Sequence, residues 1–368
     1  MGYTLAALTN NAIHTRYGQR GIAIIGPGLH VVAFLAVALH PPYPVLIFVF
    51  VLAGLGSGLV DAGWNAWIGS MPDSSGIMGS LHSSYSLGAA LAPVVANAVI
   101  TKLGWRWYGF YYLMALASAV ELCSSAAAFF SKTGEQYRLH HATPSEPEIF
   151  HDQAILEDSL PDKKRRSPVV QALGNHSTWL ISIFIFLYAG IEISLADWIM
   201  TLAVDHRAQT PFAGSMLTFA FWGGLTSGRI VVGFLIPLIS SSSSSKGVVT
   251  ACLTVTILSH LVFTLRSDLV TSAVVVPLLG FSLGPLFPEA VIMQTKLVDR
   301  SLHVAAVGFA CALGSAGGCV FPFLVGVIAN SYGIQMLLPV VMVMLLLCLT
   351  CWWLLPCPAE DDADLRTG

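Results

Sequence analysis

The sequence predicts an all-α polytopic membrane protein, and three observations support this fold class. The chain has 368 residues, of which 55% are hydrophobic and only 10% are charged, whereas an ordinary soluble domain carries about 25% charged residues. Apolar stretches of about 20 residues, the length that a helix needs to cross a bilayer, recur along the chain. Alternating segments of about 10 residues, which are typical of membrane β-barrels, do not occur in the sequence.

Ten apolar spans follow one another along the sequence, and a shorter apolar fragment precedes them. The fragment, residues 1–13, is too short to cross a bilayer alone. The spans are predicted at residues 21–40, 44–69, 79–101, 106–130, 177–203, 211–238, 247–266, 268–296, 301–330 and 332–356.

A polar stretch between the fourth and fifth spans divides the chain in two. It is rich in His, Glu and Pro and carries the basic run 163–166, a composition typical of a flexible linker. We therefore predict an incomplete N-terminal transmembrane bundle, a cytoplasmic linker, a C-terminal six-helix bundle and a cytoplasmic tail, at residues 1–130, 131–176, 177–356 and 357–368.

Lys and Arg are divided unequally between the two sets of loops, and this predicts the orientation of the chain. One set and the tail contain Arg16, Arg20, Lys132, Arg138, Lys163, Lys164, Arg165, Arg166, Lys246, Lys296, Arg300 and Arg366. The opposite set contains only Lys102, Arg106, Arg207 and Arg266. We expect the first set and the C-terminus to be cytoplasmic in a multi-pass protein of the plasma membrane.

An internal repeat relates the two halves of the chain at a constant offset of 226 residues. The matching positions are Gly2 with Gly228, Arg20-Gly21 with Lys246-Gly247, Gly54 with Gly280, Gly58 with Gly284, and Leu87-Gly88 with Leu313-Gly314. Glycines at matched places predict a duplicated bundle with equivalent close helix contacts. At this offset the partner of span 177–203 would fall before residue 1, and residues 1–13 match only the later part of span 211–238. We therefore expect an intact plan of two six-helix bundles with helix 1 and part of helix 2 missing.

The stretch RYGQR at residues 16–20 resembles the signature between the second and third helices of the major facilitator superfamily. The acidic residue usual in that signature is missing, since Asn10, Asn11 and His14 occupy the region. Two six-helix halves joined by a long basic loop are also similar to this superfamily. The resemblance implies the major facilitator fold, with rocking of the halves about a site at the middle of the membrane.

Three further stretches resemble the fucose-permease-like branch and fungal permeases of the bypass-of-stop-codon type. They are GLGSGLVDAGWN at 54–65, LHSSYSLGA at 81–89 and YAGIEIS at 188–194. The resemblance implies a proton-coupled symporter of a small polar solute such as a hexose. The alternatives are a membrane sensor or partner protein that does not transport, or the inactive product of a truncated gene.

Ionisable groups within spans cost roughly 2.5–3.5 kcal/mol each, so every one needs a partner or a function. Asp61 and Glu192 are candidate proton-coupling carboxylates. The structural alternative for Asp61 is that it fixes two helices by hydrogen bonds, and for Glu192 it is a structural ion pair. Asn65 lies one turn after Asp61 on the same helix face and is a candidate solute ligand.

Further candidate solute ligands are His82, Tyr85, Trp64, Trp198 and Trp222, with interhelical hydrogen bonds or interfacial anchoring as the alternative for each. Arg229 and Glu289 are candidate gating residues. Pro285 and Pro288 predict a helix break beside Glu289.

The sequence indicates no cofactor, no metal site and no enzyme active site. The seven cysteines lie in or beside apolar stretches without zinc-ligand spacing, and a net charge of −3 gives no indication of nucleic-acid binding. The expected partners are the lipid bilayer, a small solute and a proton, and we expect a monomer.

Overall fold

The computed structural model describes residues 1–72, 74–142, 167–239 and 244–357, and these ranges form helices without a β-strand. The helices are α1 Gly2–Ala38, α2 Tyr43–Gly69, α3 Ser75–Thr101, α4 Phe110–Ala128, α5 Gly134–Ala142, α6 Pro168–Leu173, α7 His176–Thr201, α8 Pro211–Ile239, α9 Ser244–Leu265, α10 Leu269–Leu283, α11 Leu286–Leu297, α12 His303–Tyr332 and α13 Leu337–Leu354. Within these ranges ten spans are long and apolar enough to cross a membrane. The predicted all-α polytopic fold class is confirmed.

α1 consists of two helical arms that meet at Gly18, where the chain reverses direction and whose φ of 69° lies in the left-handed region. Gly2 packs against Leu55, and His30 Nε2 lies 3.0 Å from Ser57 Oγ, half a turn further along α2. A straight helix would separate residues 2 and 30 by about 42 Å. The two arms, 2–17 and 19–38, therefore run antiparallel. The apolar fragment 1–13 is part of the first arm, whose helical structure continues to the reversal at Gly18.

Glycine is required at the reversal for two reasons. The left-handed backbone of Gly18 disfavours any other residue, and a Cβ there would collide with the backbone of Lys132 and Thr133. The Arg20 amide also donates to the Lys132 carbonyl at 3.0 Å. The hairpin is thus held against the segment that leads into α5.

The helix contacts repeat at the offset found in the sequence. Gly2 packs on the backbone of Leu55, and Gly228 packs on Phe281, which lies 226 positions after Leu55. One difference separates the halves: Gly314 packs against Ile185 of α7, while a Cβ on its repeat partner, residue 88, would have no neighbour within 4 Å.

The predicted helix break in the eighth span is present. α10 ends at Leu283 and α11 begins at Leu286, with Pro285 as its N-cap. The carbonyl of Gly284 at the break accepts a hydrogen bond from a side chain of α8, at 3.3 Å.

The first half (residues 1–142) and the second half (residues 167–357) meet at the end of the bundle that holds Arg20, Lys132 and Arg300, which we call the basic end. Near this end Thr295 Oγ1 donates to the Gly69 carbonyl at 2.7 Å. The neighbouring helices α3 and α8 are also in contact near this end.

α3 packs closely on α8 near the basic end. A Cβ on Gly79 would collide with the Arg229 carbonyl, and Ser83 Oγ donates to the Thr226 carbonyl at 3.0 Å. Further from the basic end, Tyr85 of α3 and Trp222 of α8 meet edge to face, with ring centroids 6.4 Å apart.

Candidate functional site

A buried ion pair lies where the two halves meet. Arg229 on α8 and Glu192 on α7 are 2% and 5% exposed. Arg229 Nη2 donates to both carboxylate oxygens of Glu192, at 3.0 and 2.9 Å, and to the Tyr188 hydroxyl at 3.0 Å. Each buried charge depends on the other, because an unpaired ion in this environment carries a large desolvation cost.

The same guanidinium reaches across to the first half. Its Nη1 donates to the His82 carbonyl at 3.1 Å and to Ser86 Oγ, both on α3. Its Nε donates to the Gly284 carbonyl at 3.3 Å. Arg229 therefore joins α3 of the first half to α7 and to the break between α10 and α11 of the second.

A second carboxylate is connected to this ion pair through the first half. Asn65 Nδ2 donates to Asp61 Oδ1 at 2.7 Å, and Asn65 Oδ1 lies 2.9 Å from His82 Nε2. Because an amide oxygen only accepts, His82 carries its hydrogen on Nε2 in this contact. The carbonyl of His82 in turn accepts from Arg229. Asp61 and Glu192 thus lie at the two ends of a polar network that passes through His82, whose ring contacts Asn65 and whose main-chain carbonyl accepts from Arg229.

The network contains five of the predicted site residues, namely Asp61, Asn65, His82, Glu192 and Arg229. Asn65 is fully buried and His82 is 8% exposed, whereas Asp61 is only partly buried. Of these three side chains, that of Asp61 is therefore the one that is accessible from outside the packed interior.

Tyr85 of α3 and Trp222 of α8 meet on the side of the α3–α8 contact that lies away from the basic end. Tyr85 is 57% exposed, and its ring centroid is 6.4 Å from that of Trp222, edge to face. Tyr85 directly precedes Ser86, which accepts from Arg229, so the two rings lie beside the charged network.

The remaining predicted residues lie outside the network. Trp64 packs its ring on Phe129 at a centroid distance of 4.7 Å, and Trp198 Nε1 donates to the Pro322 carbonyl at 3.1 Å. Glu289 is 3% exposed and lies near Ser75 at the start of α3. Its position is at the contact between the halves, closer to the basic end than the Arg229–Glu192 pair.

Three members of the site were not assigned from the sequence. Tyr188 stands four residues before Glu192 and Ser86 four residues after His82, so helical spacing alone could have suggested both. Cys311 of α12 places its Sγ 4.0 Å from Asn65 Nδ2. No sequence signal indicates this contact, because it depends on how the second half packs against α2.

Comparison with known proteins assigns this chain to a family. The family model described as Major Facilitator Superfamily matches residues 1–242. Bypass of stop codon protein 6 of Saccharomyces cerevisiae is 28% identical over 367 residues, which cover 96% of this chain and 73% of that protein. The glucose/mannose transporter GlcP of Bacillus subtilis is 24% identical over 286 residues, 77% of this chain and 65% of that protein.

Solved structures share the fold at low sequence identity. The human organic anion transporter MFSD10 (TETRAN) has a TM-score of 0.72 and 13% identity, covering 95% of this chain and 80% of that chain. The transporter FucP in its outward conformation has a TM-score of 0.67 and 13% identity, covering 96% and 86%. The chain belongs to the major facilitator superfamily, a family of multi-pass membrane transporters of small solutes rather than of enzymes.

Proposed function

We propose that this protein is a secondary active transporter that moves a small polar solute together with a proton by alternating access. One observation carries the proposal: polar contacts through Asn65 and His82 connect the partly buried carboxylate of Asp61 to Arg229, the cation that bridges the two halves. A proton taken up at one end is thereby connected to the contact that must break when the halves rock.

The hydrogen bonds from Arg229 to α3 are the contacts that change in this mechanism. Opening the basic end separates α3 from α8 and breaks the bonds from Arg229 to His82 and Ser86. Glu192 keeps Arg229 paired in both states, because both residues belong to the second half. The first half and the second half thus move as two bundles without leaving a buried charge unpaired.

Asp61 is the proton-coupling carboxylate. Protonation removes the charge that strengthens the bond from Asn65 Nδ2, and Asn65 is in turn bonded to His82. Weakening of this bond frees the Asn65 amide. Because Asn65 is bonded to His82, the hydrogen bonds between α3 and Arg229 weaken in turn. Proton and solute then cross in the same conformational step.

The solute is a hexose or a compound of similar size and polarity. Amide, imidazole and carboxylate groups bind hydroxyls, and the rings of Tyr85 and Trp222 suit the flat apolar face of a sugar ring. The names of the relatives agree with this class: GlcP is a glucose/mannose transporter, and FucP of Escherichia coli is a fucose:proton symporter with a TM-score of 0.67 to this chain.

The basic end faces the cytoplasm of a plasma-membrane protein that acts as a monomer. The excess of Lys and Arg at this end agrees with the positive-inside rule. With that orientation Tyr85 and Trp222 lie on the outer side of Arg229.

Uptake of labelled hexoses into proteoliposomes tests the proposal. We expect an inward proton gradient to drive accumulation of at least one hexose, and a protonophore to abolish it. Solute exchange without any dependence on the gradient would show that the protein transports the solute without coupling to a proton. No uptake or exchange of any hexose by correctly inserted protein would instead favour a membrane sensor or partner protein.

A further inference from the structure

A buried carboxyl that the polar network does not use lies on α11 of the second half. Glu289 is 3% exposed, and its Oε1 makes no hydrogen bond to any group in the part of the chain that the structure describes. The ion pairs that the described residues form are His30–Glu121 and Arg229–Glu192, and neither includes it. A charged side chain inside a membrane protein is costly unless it is paired, so this carboxyl needs an explanation.

The cations on the helices around Glu289 are committed to other partners. All three side-chain nitrogens of Arg229, on the neighbouring helix α8, donate to α3, to α7 or to the Gly284 carbonyl. The Lys and His side chains of α11 and of the helices packed against it are either bonded to another group or exposed, namely Lys246, His82, His260, His303, His176 and Lys296.

The other titratable groups near Glu289 supply no positive charge. The group of α9 that faces it is the Cys252 thiol. Asp73, two residues before Ser75 of α3, lies outside the described residues, and as an aspartate it is an acid like Glu289. Among the described residues Glu289 therefore has no counter-ion.

The polar neighbour of this carboxyl comes from the other half. Ser75, the first residue of α3, is 7% exposed, and its side chain interacts with Glu289. The same turn of α3 is packed on α8, since a Cβ on Gly233 would lie 2.8 Å from the Ser75 carbonyl oxygen and one on Gly76 would collide with Phe234. α11 itself contacts α2 and α3 of the first half. Glu289 is therefore enclosed only while the halves are together at the basic end.

This enclosure determines which form of the carboxyl is favoured. An ionised carboxylate without a counter-ion is costly in a buried site, whereas the neutral acid is not and can donate its O–H to Ser75. When the halves separate at the basic end, Ser75 leaves with α3 and water from that side reaches Glu289. The carboxyl then transfers its proton to that water, and the electron pair of the O–H bond stays on the carboxylate oxygen.

We propose that Glu289 is a proton-binding site of the basic end, neutral while the halves are closed there and ionised when they part. Its proton enters and leaves on the same side of the membrane, so this proton is not carried across with the solute. Acid on the side of the basic end favours the closed arrangement, because a ligand shifts an equilibrium toward the state that binds it better. Acidification of that side therefore slows the transport cycle. This regulation rests on the proposed alternating access, whereas the protonation of Glu289 does not.

Infrared spectroscopy of the full chain in detergent tests the protonation directly, because the C=O stretch of a neutral carboxylic acid is separate from the carboxylate absorption. The measurement uses an Asp61→Asn background, which removes the other proposed proton carrier. At neutral pH we expect a neutral-acid band that is lost in Asp61→Asn/Glu289→Gln. The control Asp61→Asn/Glu135→Gln changes an exposed glutamate at the basic end and should keep the band. Equal spectra with and without Glu289→Gln overturn the site.

Exchange of labelled hexose in proteoliposomes tests the regulation. Acidifying the side of the basic end alone should slow exchange by wild type, by up to about tenfold per pH unit, because one proton is bound. Glu289→Gln copies the size of the neutral acid, so its exchange should be slow at every pH, while Glu135→Gln should respond as wild type does. A wild-type pH response in Glu289→Gln overturns the regulation. Absence of exchange in every variant overturns the proposed transport and its regulation together, and the infrared band reports on the proton site alone.

Discussion

Arg229 of the second half donates a hydrogen bond to the main-chain carbonyl of His82 in the first half, at 3.1 Å. A main-chain acceptor cannot be removed by substitution, so this contact depends on the position of Arg229 and on how α3 packs against α8. Glu192 fixes that position through both of its carboxylate oxygens. The ion pair within one half thus determines the contact between the halves.

Arg229→Gln should destabilise the protein more than the loss of both charges does. The single variant leaves Glu192 buried and unpaired, which we expect to cost about 3–5 kcal/mol, whereas Glu192→Gln/Arg229→Gln removes both ions. Thermal unfolding in detergent measures the difference. Equal melting temperatures for the single and double variants would show that the pair is not desolvated as described.

Asp61→Asn should uncouple transport from the proton. The side chain keeps its size and can still contact Asn65, but it can no longer take up a proton, so the accumulation ratio falls to about one while solute exchange persists. Paired measurements of gradient-driven uptake and exchange test this. Asp205→Asn, at an exposed aspartate outside the network, serves as the control, and an equal effect there would contradict the assignment.

Tyr85→Ala should weaken solute binding about tenfold through loss of the stacking surface opposite Trp222. The half-saturation concentration for exchange reports the change, and the maximal rate should move less. Tyr112→Ala removes an aromatic residue of α4 that is similarly exposed and should leave the half-saturation concentration unaltered. A similar rise in both variants would place the solute elsewhere.

Gly79→Ala should weaken the contact between α3 and α8, because its Cβ would meet the Arg229 carbonyl. We expect a loss of about 1–3 kcal/mol and easier opening of the basic end. Gly88→Ala on the same helix is the control, since its Cβ has nothing within 4 Å. Unfolding temperatures and thiol labelling of an engineered cysteine near Ser75 measure stability and opening. No difference between the two variants would mean that α3 does not pack on α8 at this point.

The helix reversal at Gly18 shows where local pattern was sufficient and where it was not. The sequence placed a polar loop at residues 16–20, and the structure reverses there. The helical arm before it extends beyond the apolar fragment 1–13, because hydrophobicity falls while backbone hydrogen bonding continues. Polar residues interrupt an apolar pattern, but they do not end a helix when their side chains find hydrogen-bond partners in the packed bundle.

Trp64 and Trp198 show the limit of the site prediction. Both were candidates because aromatic residues stack on sugars, yet spacing cannot tell which side of a helix faces a cleft and which faces another helix. The structure packs Trp64 on Phe129 and bonds Trp198 to Pro322. Cys311 entered the site for the converse reason, since only the packing of α12 against α2 brings it there.

The sequence by itself determined the membrane-spanning helices, the break near Pro285 and the internal repeat, because each depends on local composition or on spacing along one chain. It also identified Asp61, Glu192 and Arg229 as costly charges that needed partners. Only the tertiary structure decided that these partners form one network across two halves. Pairings over 37 to 246 residues depend on how helices pack side by side, and that arrangement leaves no periodic signal in the sequence.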